Sequence, residues 1–398
     1  MVLVLWCAKI LWRGGTILES RQRRNKICYV VTIPTTIRAF FIPQLKYLAE
    51  HGYDITVVCG QDDKLQQDLG DNICYTPVDM PRGLSLFGSM KAIKLLYNVM
   101  KSNRFDLVQY STPNAALYAS IASKLAGVKV RNYHLMGFRY LGASGIGKKI
   151  LKGIEQISCK LSTSIECVSE SNLRLGIQEG IFEEKKATVV WHGSTGGVDL
   201  RRFDYAKRYI WRNEVRSQLG LADDDFVFGF VGRITKDKGV NEILEAFLGS
   251  QVGTKLLLVG AEEGLDTLDQ WLLQKAKSHP DVIFQGPVRD VERYLSAIDV
   301  LLLPSYREGF GNVVIEAAAV GTPAIISNIP GPIDAVEPGK TALVVSAKSV
   351  SELEMAMECT RGDKVHGMKE NCVEFVRTHF DSEKLCKKIL ERKSKLIN

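Results

Sequence analysis

VLLLPSYREGFGNVVIEAAAVGTPAIIS, residues 300–327, holds one whole structural cycle. VLLLPS reads as a strand run ending at Ser305, and Gly309, Phe310, Gly311 and Asn312 as a tight loop. VVIEAAAVG then reads as a helix stopped by Gly321 and Pro323, and PAIIS as the next strand. The first N–H groups of that helix have no intrahelical partner and carry the positive end of its dipole. Glycines let a phosphate approach them closely, so the loop is an anion site by geometry. A carboxylate cannot bind the phosphate, but it can accept hydrogen bonds from hydroxyls. Glu308, just before the loop, and Glu316, about one turn into the helix, are each placed to grip a sugar ring on one side of a diphosphate.

Alone, this stretch could be any helix of a parallel sheet, with Glu316 a solvated residue. A second loop shifts the balance. FGFVGRITKDKG, residues 228–239, leaves another strand and offers Arg233 and Lys238 at the same edge. Two fixed cations near a helix start form a diphosphate clamp. Gly229, Gly232 and Gly239 lack the G-x-G-x-x-G spacing of a dinucleotide fingerprint.

The cycle recurs on both sides of these loops. KICYVVTI, YDITVVCG, FDLVQYS, VKVRNYHL and TSIECVS are strand runs in the first half, with helical stretches between them. FVFGFVGR, KLLLVG and VIFQG precede VLLLPS and PAIIS in the second. Strands alternating with helices imply parallel sheets covered on both faces. WHGSTGGVDLRRF, residues 191–203, reads as a hinge between doubly wound domains at 26–190 and 204–375. A helical stretch at 376–398 closes the chain and is expected to pack back toward the first domain. Residues 1–25 read as a non-native or disordered leader. MVLVLWCAKILW is short of a membrane span and has neither basic residues before its apolar run nor a cleavage site. A short membrane-touching anchor is the alternative for that leader.

The 398 residues suit about two domains, and 45% hydrophobic with 24% charged residues is an ordinary globular balance. A net charge of +7 suits an anionic ligand or membrane surface, and is too weak to argue for nucleic acid. The 9 cysteines include no C-x-x-C pair, and several lie in apolar strand runs. They read as core residues of a reduced, cytoplasmic chain.

GRITKDKG, EGFGNVVIEAAAVGTPAI and GSTGGVD together resemble glycosyltransferase family 4, the retaining enzymes of GT-B architecture. The first half, with IRAFFIPQLKYLAEHGYDITVVC and GVKVRNYHLMGFRYLG, is similar to the branch that builds capsular and O-antigen polysaccharides. The resemblance implies two Rossmann-like domains facing across a cleft, an N-terminal one for the acceptor and a C-terminal one for the nucleotide sugar. It implies that Arg233 and Lys238 bind the donor diphosphate and stabilise the leaving nucleotide. Glu308 would contact hydroxyls of the donor sugar, and Glu316 those of the ribose. Gly309, Phe310, Gly311, Asn312 and Val313 would offer backbone N–H groups. The catalytic partner from the first domain is expected at His134, near a strand's carboxyl end, with His192 a weaker candidate. Thr35, Thr36 and Arg38, after the first strand, are expected to face the acceptor.

Asp223, Asp224 and Asp225 could suggest a metal site. They precede a strand at the sheet's amino edge, so they read as a solvated loop, and no metal or cofactor is expected beyond the nucleotide sugar as co-substrate. GKKILKGIEQISCKLS and SLFGSMKAIKLLYNVMKS carry lysines beside an apolar stripe. Either alone suits a core-facing helix. With the resemblance pointing to a polyprenyl-diphosphate-linked or oligosaccharide acceptor, they carry the expectation of peripheral contact with the inner face of the plasma membrane. A UDP-linked hexose or N-acetylhexosamine is the expected donor. A nucleotide-sugar epimerase and a non-catalytic sugar-nucleotide-binding scaffold remain alternatives, and a nicotinamide dehydrogenase a distant one.

Overall fold

The apolar runs form the centres of two parallel sheets. The computed structural model describes residues 24–398 except 82, 84, 250–252 and 362–363, so the expected leader lies outside them but for its last two residues. The first sheet comprises β1 (Lys26–Val30), β2 (Asp54–Cys59), β3 (Ile73–Pro77), β4 (Leu107–Ser111), β5 (Val130–Leu135), β6 (Ser164–Cys167) and β7 (Ala187–Val189). Its spatial order is 3-2-1-4-5-6-7. The second comprises β8 (Phe226–Val231), β9 (Thr254–Val259), β10 (Val282–Gly286), β11 (Val300–Leu303), β12 (Ala324–Ser327) and β13 (Ala342–Val345), in the order 10-9-8-11-12-13. Ile27 pairs with both Ile55 and Leu107 in parallel register, and Val300 with Phe228. Ile27, Cys28, Tyr29 and Val30 are at most 1% exposed, because helices cover both faces of the sheet.

The strand order reverses between β1 and β4 and between β8 and β11. Loops leaving the carboxyl ends of those strands diverge and open a crevice. Three strands were absent from the sequence reading: β3, β7 and β13. All are short and partly exposed, so their hydrophobic signal is weak.

The hinge at 191–203 is braced. Val198 N donates to Phe380 O at 2.8 Å, and Ser382 N to Val198 O at 3.0 Å, so the two chain crossings between the domains hold each other. The closing segment divides later than the expected 375/376 boundary. Helix Lys364–His379 packs on helix Asn312–Ala319 of the second domain. Only helix Ser382–Ile397 returns to the first, where Leu385 and Ile389 join the core around Leu45 and Leu48. Burying two such side chains contributes on the order of 3–5 kcal/mol. The return is also fixed by charge: Lys393 Nζ lies 2.7 Å from Glu166 Oε2 inside the sheet's flank.

Candidate active site

The loops at the two switch points meet in a cavity of about 370 Å³, with Thr36 and Thr112 on the first domain and Arg233, Lys238 and Glu308 on the second. Each wall follows from local folding. β8 ends at Val231, and Gly232 turns the chain so that Arg233 emerges exposed at the rim. A 3-10 turn, Lys236–Lys238, then points Lys238 inward. β11 ends at Leu303, and the loop after it is bound to that turn: Tyr306 N donates to Asp237 O at 2.9 Å. The Tyr306 hydroxyl donates to Glu242 Oε1 at 2.5 Å.

The charged groups form an ordered set. Lys238 Nζ stands 2.5 Å from Glu308 Oε1, which also accepts from Ser305 Oγ at 3.0 Å. Both of these contacts are made by Oε1. Arg307 Nη2 lies 2.8 Å from Asp237 Oδ2, while Thr235 Oγ1 donates to Asp237 Oδ1 at 2.6 Å. Burial opposes ionisation of Asp237, but Thr235, Arg307, Lys238 and Arg233 outweigh it and hold the carboxyl below its ordinary range. Among the described residues Arg233 makes no contact ion pair, although Asp237 feels its charge.

Helix Asn312–Ala319 begins three residues after the lining residue Gly309, with Gly311 at φ 89° as its N-cap. Its first N–H groups, on Asn312 and Val313, have no intrahelical acceptor. The Asn312 side chain accepts from Ser194 Oγ at 3.2 Å, and Phe310 packs edge-on to Phe380 with centroids 5.3 Å apart. Phe310 therefore belongs to the core by its side chain, and only its backbone faces the loop. Glu316 lies outside the cavity wall, half-buried near Arg202 and Glu292. Burial pushes its carboxyl up to about 7, with Arg202 opposing and Glu292 adding to the shift.

The domains touch across the cleft. A Cβ on Gly309 would collide with Met136 O, and Gly137 (φ 112°) faces Gly309 from the other side. Asn172 Nδ2 donates to Gly309 O at 2.7 Å, and Ser169 Oγ to the same oxygen at 3.2 Å. Ser171 N and Oγ both donate to Asp334 Oδ2, while Gly331 N donates to Ser171 Oγ at 2.8 Å.

The first-domain expectations divide. Thr36 lines the cavity. Thr35 is exposed beside it. Arg38 points to Asp62 (2.7 Å) and Asp68 (2.6 Å), and both bonds raise its pKa. That guanidinium braces its own helix to the β2–β3 connection instead of facing the acceptor. His134 does not line the cavity. It packs edge-on to Phe41 and lies 4.0 Å from Glu166, on the sheet face that the C-terminal helix covers. Burial lowers its pKa to about 4, with Glu166 opposing and Lys393 adding. His192 packs edge-on to His379 and Phe380, outside the cavity lining. The sequence reading missed Thr112, Arg139, Asp237 and Arg307, which all line the cavity. Thr112 has φ 68°, costly for a β-branched residue, and is held by a 2.7 Å contact between its hydroxyl and that of Thr32. The Asp223–Asp225 run precedes β8 at the amino edge, away from this cleft, with the Asp223 and Asp225 carbonyls accepting from Arg216.

Two doubly wound domains with a cationic cleft at their facing switch points define the GT-B class of sugar-transferring enzymes. The glycosyl transferases group 1 family matches residues 212–372, and the glycosyl transferase 4-like family residues 26–169. The chain belongs to this glycosyltransferase family, family 4 of GT-B architecture. It is 29% identical over 328 residues to the capsular polysaccharide biosynthesis glycosyltransferase CapM of Staphylococcus aureus, covering 81% of this chain and 84% of that one. It is 25% identical over 383 residues to an Escherichia coli UDP-Gal:alpha-D-GlcNAc-diphosphoundecaprenol alpha-1,3-galactosyltransferase, covering 94% and 97%. Anabaena HepE, solved in complex with UDP and glucose, superposes with a TM-score of 0.76 at 18% identity, covering 94% of this chain and 100% of HepE.

Proposed function

We propose that the protein moves a hexose or N-acetylhexosamine, with retention, from a UDP-sugar to a polyprenyl-diphosphate-linked or growing glycan acceptor in surface-polysaccharide synthesis. The observation that carries this is the placement of Arg233, Lys238 and Glu308 on one wall of the cavity, facing Thr36 and Thr112, with helix Asn312–Ala319 starting three residues after the lining residue Gly309. Arg233, Lys238 and the N–H groups of Asn312 and Val313 hold the donor diphosphate. Glu316 accepts the ribose hydroxyls, and Glu308 Oε2 a hydroxyl of the donor sugar.

As the bond from the anomeric carbon to the diphosphate breaks, its electron pair stays on the departing oxygen. Arg233 and Lys238 stabilise that charge without a metal ion. The carboxylates lining the cavity, Asp237 and Glu308, are both paired to cations. The nearest base for the acceptor hydroxyl is therefore the departing diphosphate oxygen itself. Proton transfer to it brings the acceptor in on the same face and retains the configuration.

The acceptor side suits a membrane surface. Helices Leu86–Asn103 and Gly145–Leu161 both pack against helix Pro113–Leu125. They expose Leu86, Phe87, Met90, Ile146 and Ile150, with Phe87 87% exposed, beside Lys91, Lys94, Lys148 and Lys149. Among the described residues no helix is long and apolar enough to cross a membrane. Such faces bind the anionic inner leaflet peripherally. Reversing the charge of Lys148 and Lys149 should weaken co-sedimentation with anionic liposomes. Unchanged binding would remove the membrane contact.

The deciding experiment is a UDP-sugar panel with a lipid-diphosphate-linked sugar acceptor, in the presence of a chelator. Release of UDP in step with an elongated lipid, bearing the donor's anomeric configuration, is the expected result. An isomerised donor without transfer would instead identify an epimerase. Tight UDP binding with no turnover on any acceptor would identify a scaffold.

A further inference from the structure

We infer that Arg139 and Arg307 form a second anion seat, specific for the acceptor's own diphosphate, where the first domain borders the donor clamp. This deepens the proposed function and rests on its reading of a lipid-diphosphate acceptor.

The charge balance is the starting point. Four cations (Arg139, Arg233, Lys238, Arg307) and two carboxylates (Asp237, Glu308) line the cavity. Lys238 is paired to Glu308 and Arg307 to Asp237. Arg139 and Arg233 are thus left without a carboxylate among the described residues, one on each domain. One diphosphate at the donor rim is matched by Arg233 and Lys238. It does not account for a cation held on the opposite wall.

Arg139 is held there by design of the fold. It opens the 3-10 turn Arg139–Gly142, and its Nη1 donates to Asn114 Oδ1 at 3.2 Å. Asn114 in turn donates through Nδ2 to Pro81 O at 2.8 Å, so the guanidinium is oriented by a fixed amide. Arg307 arrives from the second domain. Its side chain lies against Gly142, where any Cβ would collide with its Nε. Asp237 fixes its other end. Arg139 opens the short turn and Arg307 lies against its end, so the two arginines, one from each domain, line the same cavity beside one turn. Planar, pre-oriented guanidiniums match the oxygens of a diphosphate in a way that solvated lysines do not.

The surroundings set the direction of the ligand. Helix Gly145–Leu161 begins three residues after the turn, with Ile146 and Ile150 exposed on its first two turns. A diphosphate on Arg139 and Arg307 can send its lipid over that apolar surface. Its sugar then enters the cavity toward Glu308. An acceptor lacking the diphosphate would forgo both guanidiniums.

The test uses protein saturated with UDP, so that the donor clamp is filled. Geranyl diphosphate, geranyl monophosphate and geraniol are then titrated by calorimetry. The diphosphate should bind at least tenfold more tightly than the monophosphate. Arg139→Gln and Arg307→Gln should each weaken it at least tenfold, with Arg139→Lys recovering part of the loss. In turnover with a sugar-diphosphate-lipid, Arg139→Gln should raise the acceptor KM at least tenfold and change kcat by less than about threefold. Thermal unfolding of each variant confirms the fold. No binding of geranyl diphosphate to the UDP-saturated parent, equal binding of monophosphate, or parent-like binding by both variants would each overturn the seat. Sugar transfer whose acceptor KM ignores Arg139→Gln overturns the seat and leaves the proposed function standing. Arginine-dependent diphosphate binding with no sugar transfer does the reverse.

Discussion

Lys238 and Glu308 neutralise each other at the mouth of the cleft, Nζ to Oε1 at 2.5 Å. On the proposed reading, a nucleotide diphosphate must compete with Glu308 for Lys238. Glu308→Gln removes the competitor. UDP should bind several-fold more tightly to that variant, while turnover falls roughly a hundredfold because the sugar loses its carboxylate partner. Calorimetry with UDP beside steady-state turnover checks both halves. Unchanged affinity together with a near-normal rate would show that the pair is incidental.

If Glu316 holds the ribose as proposed, nucleotide binding should depend on pH. Burial holds its carboxyl at about 7 in the folded protein, above the value of 4.5 expected when unfolded. A raised carboxyl favours the protonated form, so this group's contribution to stability declines as pH rises from 4.5 through 7 and is lowest above it. Ribose hydroxyls prefer the ionised acceptor. UDP affinity should therefore rise between pH 6 and pH 8, and Glu316→Gln should flatten that rise, weaken binding at pH 8 and stabilise the empty protein there. Titrations at three pH values, with melting curves of both proteins, supply the comparison. A parallel rise in the variant would assign the effect elsewhere.

The domain contact through Gly309 predicts a coupling between closure and catalysis. The same residue that receives Asn172 Nδ2 at 2.7 Å on its carbonyl belongs to the loop proposed to cradle the diphosphate. Ser171 and Asp334 close a second contact beside it. Asp334→Ala removes an acceptor without entering the cavity. It should lower turnover about tenfold at the expense of closure and raise the radius of gyration seen by small-angle scattering, with UDP affinity changed far less. A variant as compact and as active as the parent would mean that the contact does not govern closure.

The sequence revealed the donor wall well and the acceptor wall poorly, for a physical reason. Arg233, Lys238, Glu308 and Gly309 lie within two contiguous loops, so spacing alone brings them to one edge. Arg38 also follows a strand, yet its partners Asp62 and Asp68 come from a different connection, and no local pattern shows that they capture it. His134 was misplaced by strand geometry. Side chains alternate across a strand, so Tyr133 and Leu135 enter one core while His134 turns to the other face, beneath the returning C-terminal helix. Arg139 and Arg307 are separated by a domain boundary, and only the folded contact at Gly142 unites them. The central strands were legible because both faces are buried. β3, β7 and β13 were not, being short, partly exposed strands at the sheet edges.

The anchor of the C-terminal helix is the remaining test of the architecture. Lys393 and Glu166 are almost fully buried at 2.7 Å, with Arg392 Nη2 donating to Ser164 Oγ at 2.8 Å and His134 nearby. Burial opposes the charge on Glu166, but Lys393 and His134 outweigh it and keep its pKa below the ordinary value. Lys393→Met leaves the buried Glu166 carboxylate with Arg392 alone, its Nε 3.5 Å from Oε1, and should cost about 3 kcal/mol at pH 8. Glu166 then gains a raised pKa, so the loss should shrink as the pH falls and the carboxyl takes up a proton. Removing both charges in Lys393→Met/Glu166→Gln should recover most of the stability, since the penalty lies in the unpaired charge. Urea unfolding at pH 5.5 and pH 8 separates these outcomes. A single variant as stable as the parent at pH 8 would show that water reaches the pair and that the helix is held by Leu385 and Ile389 alone.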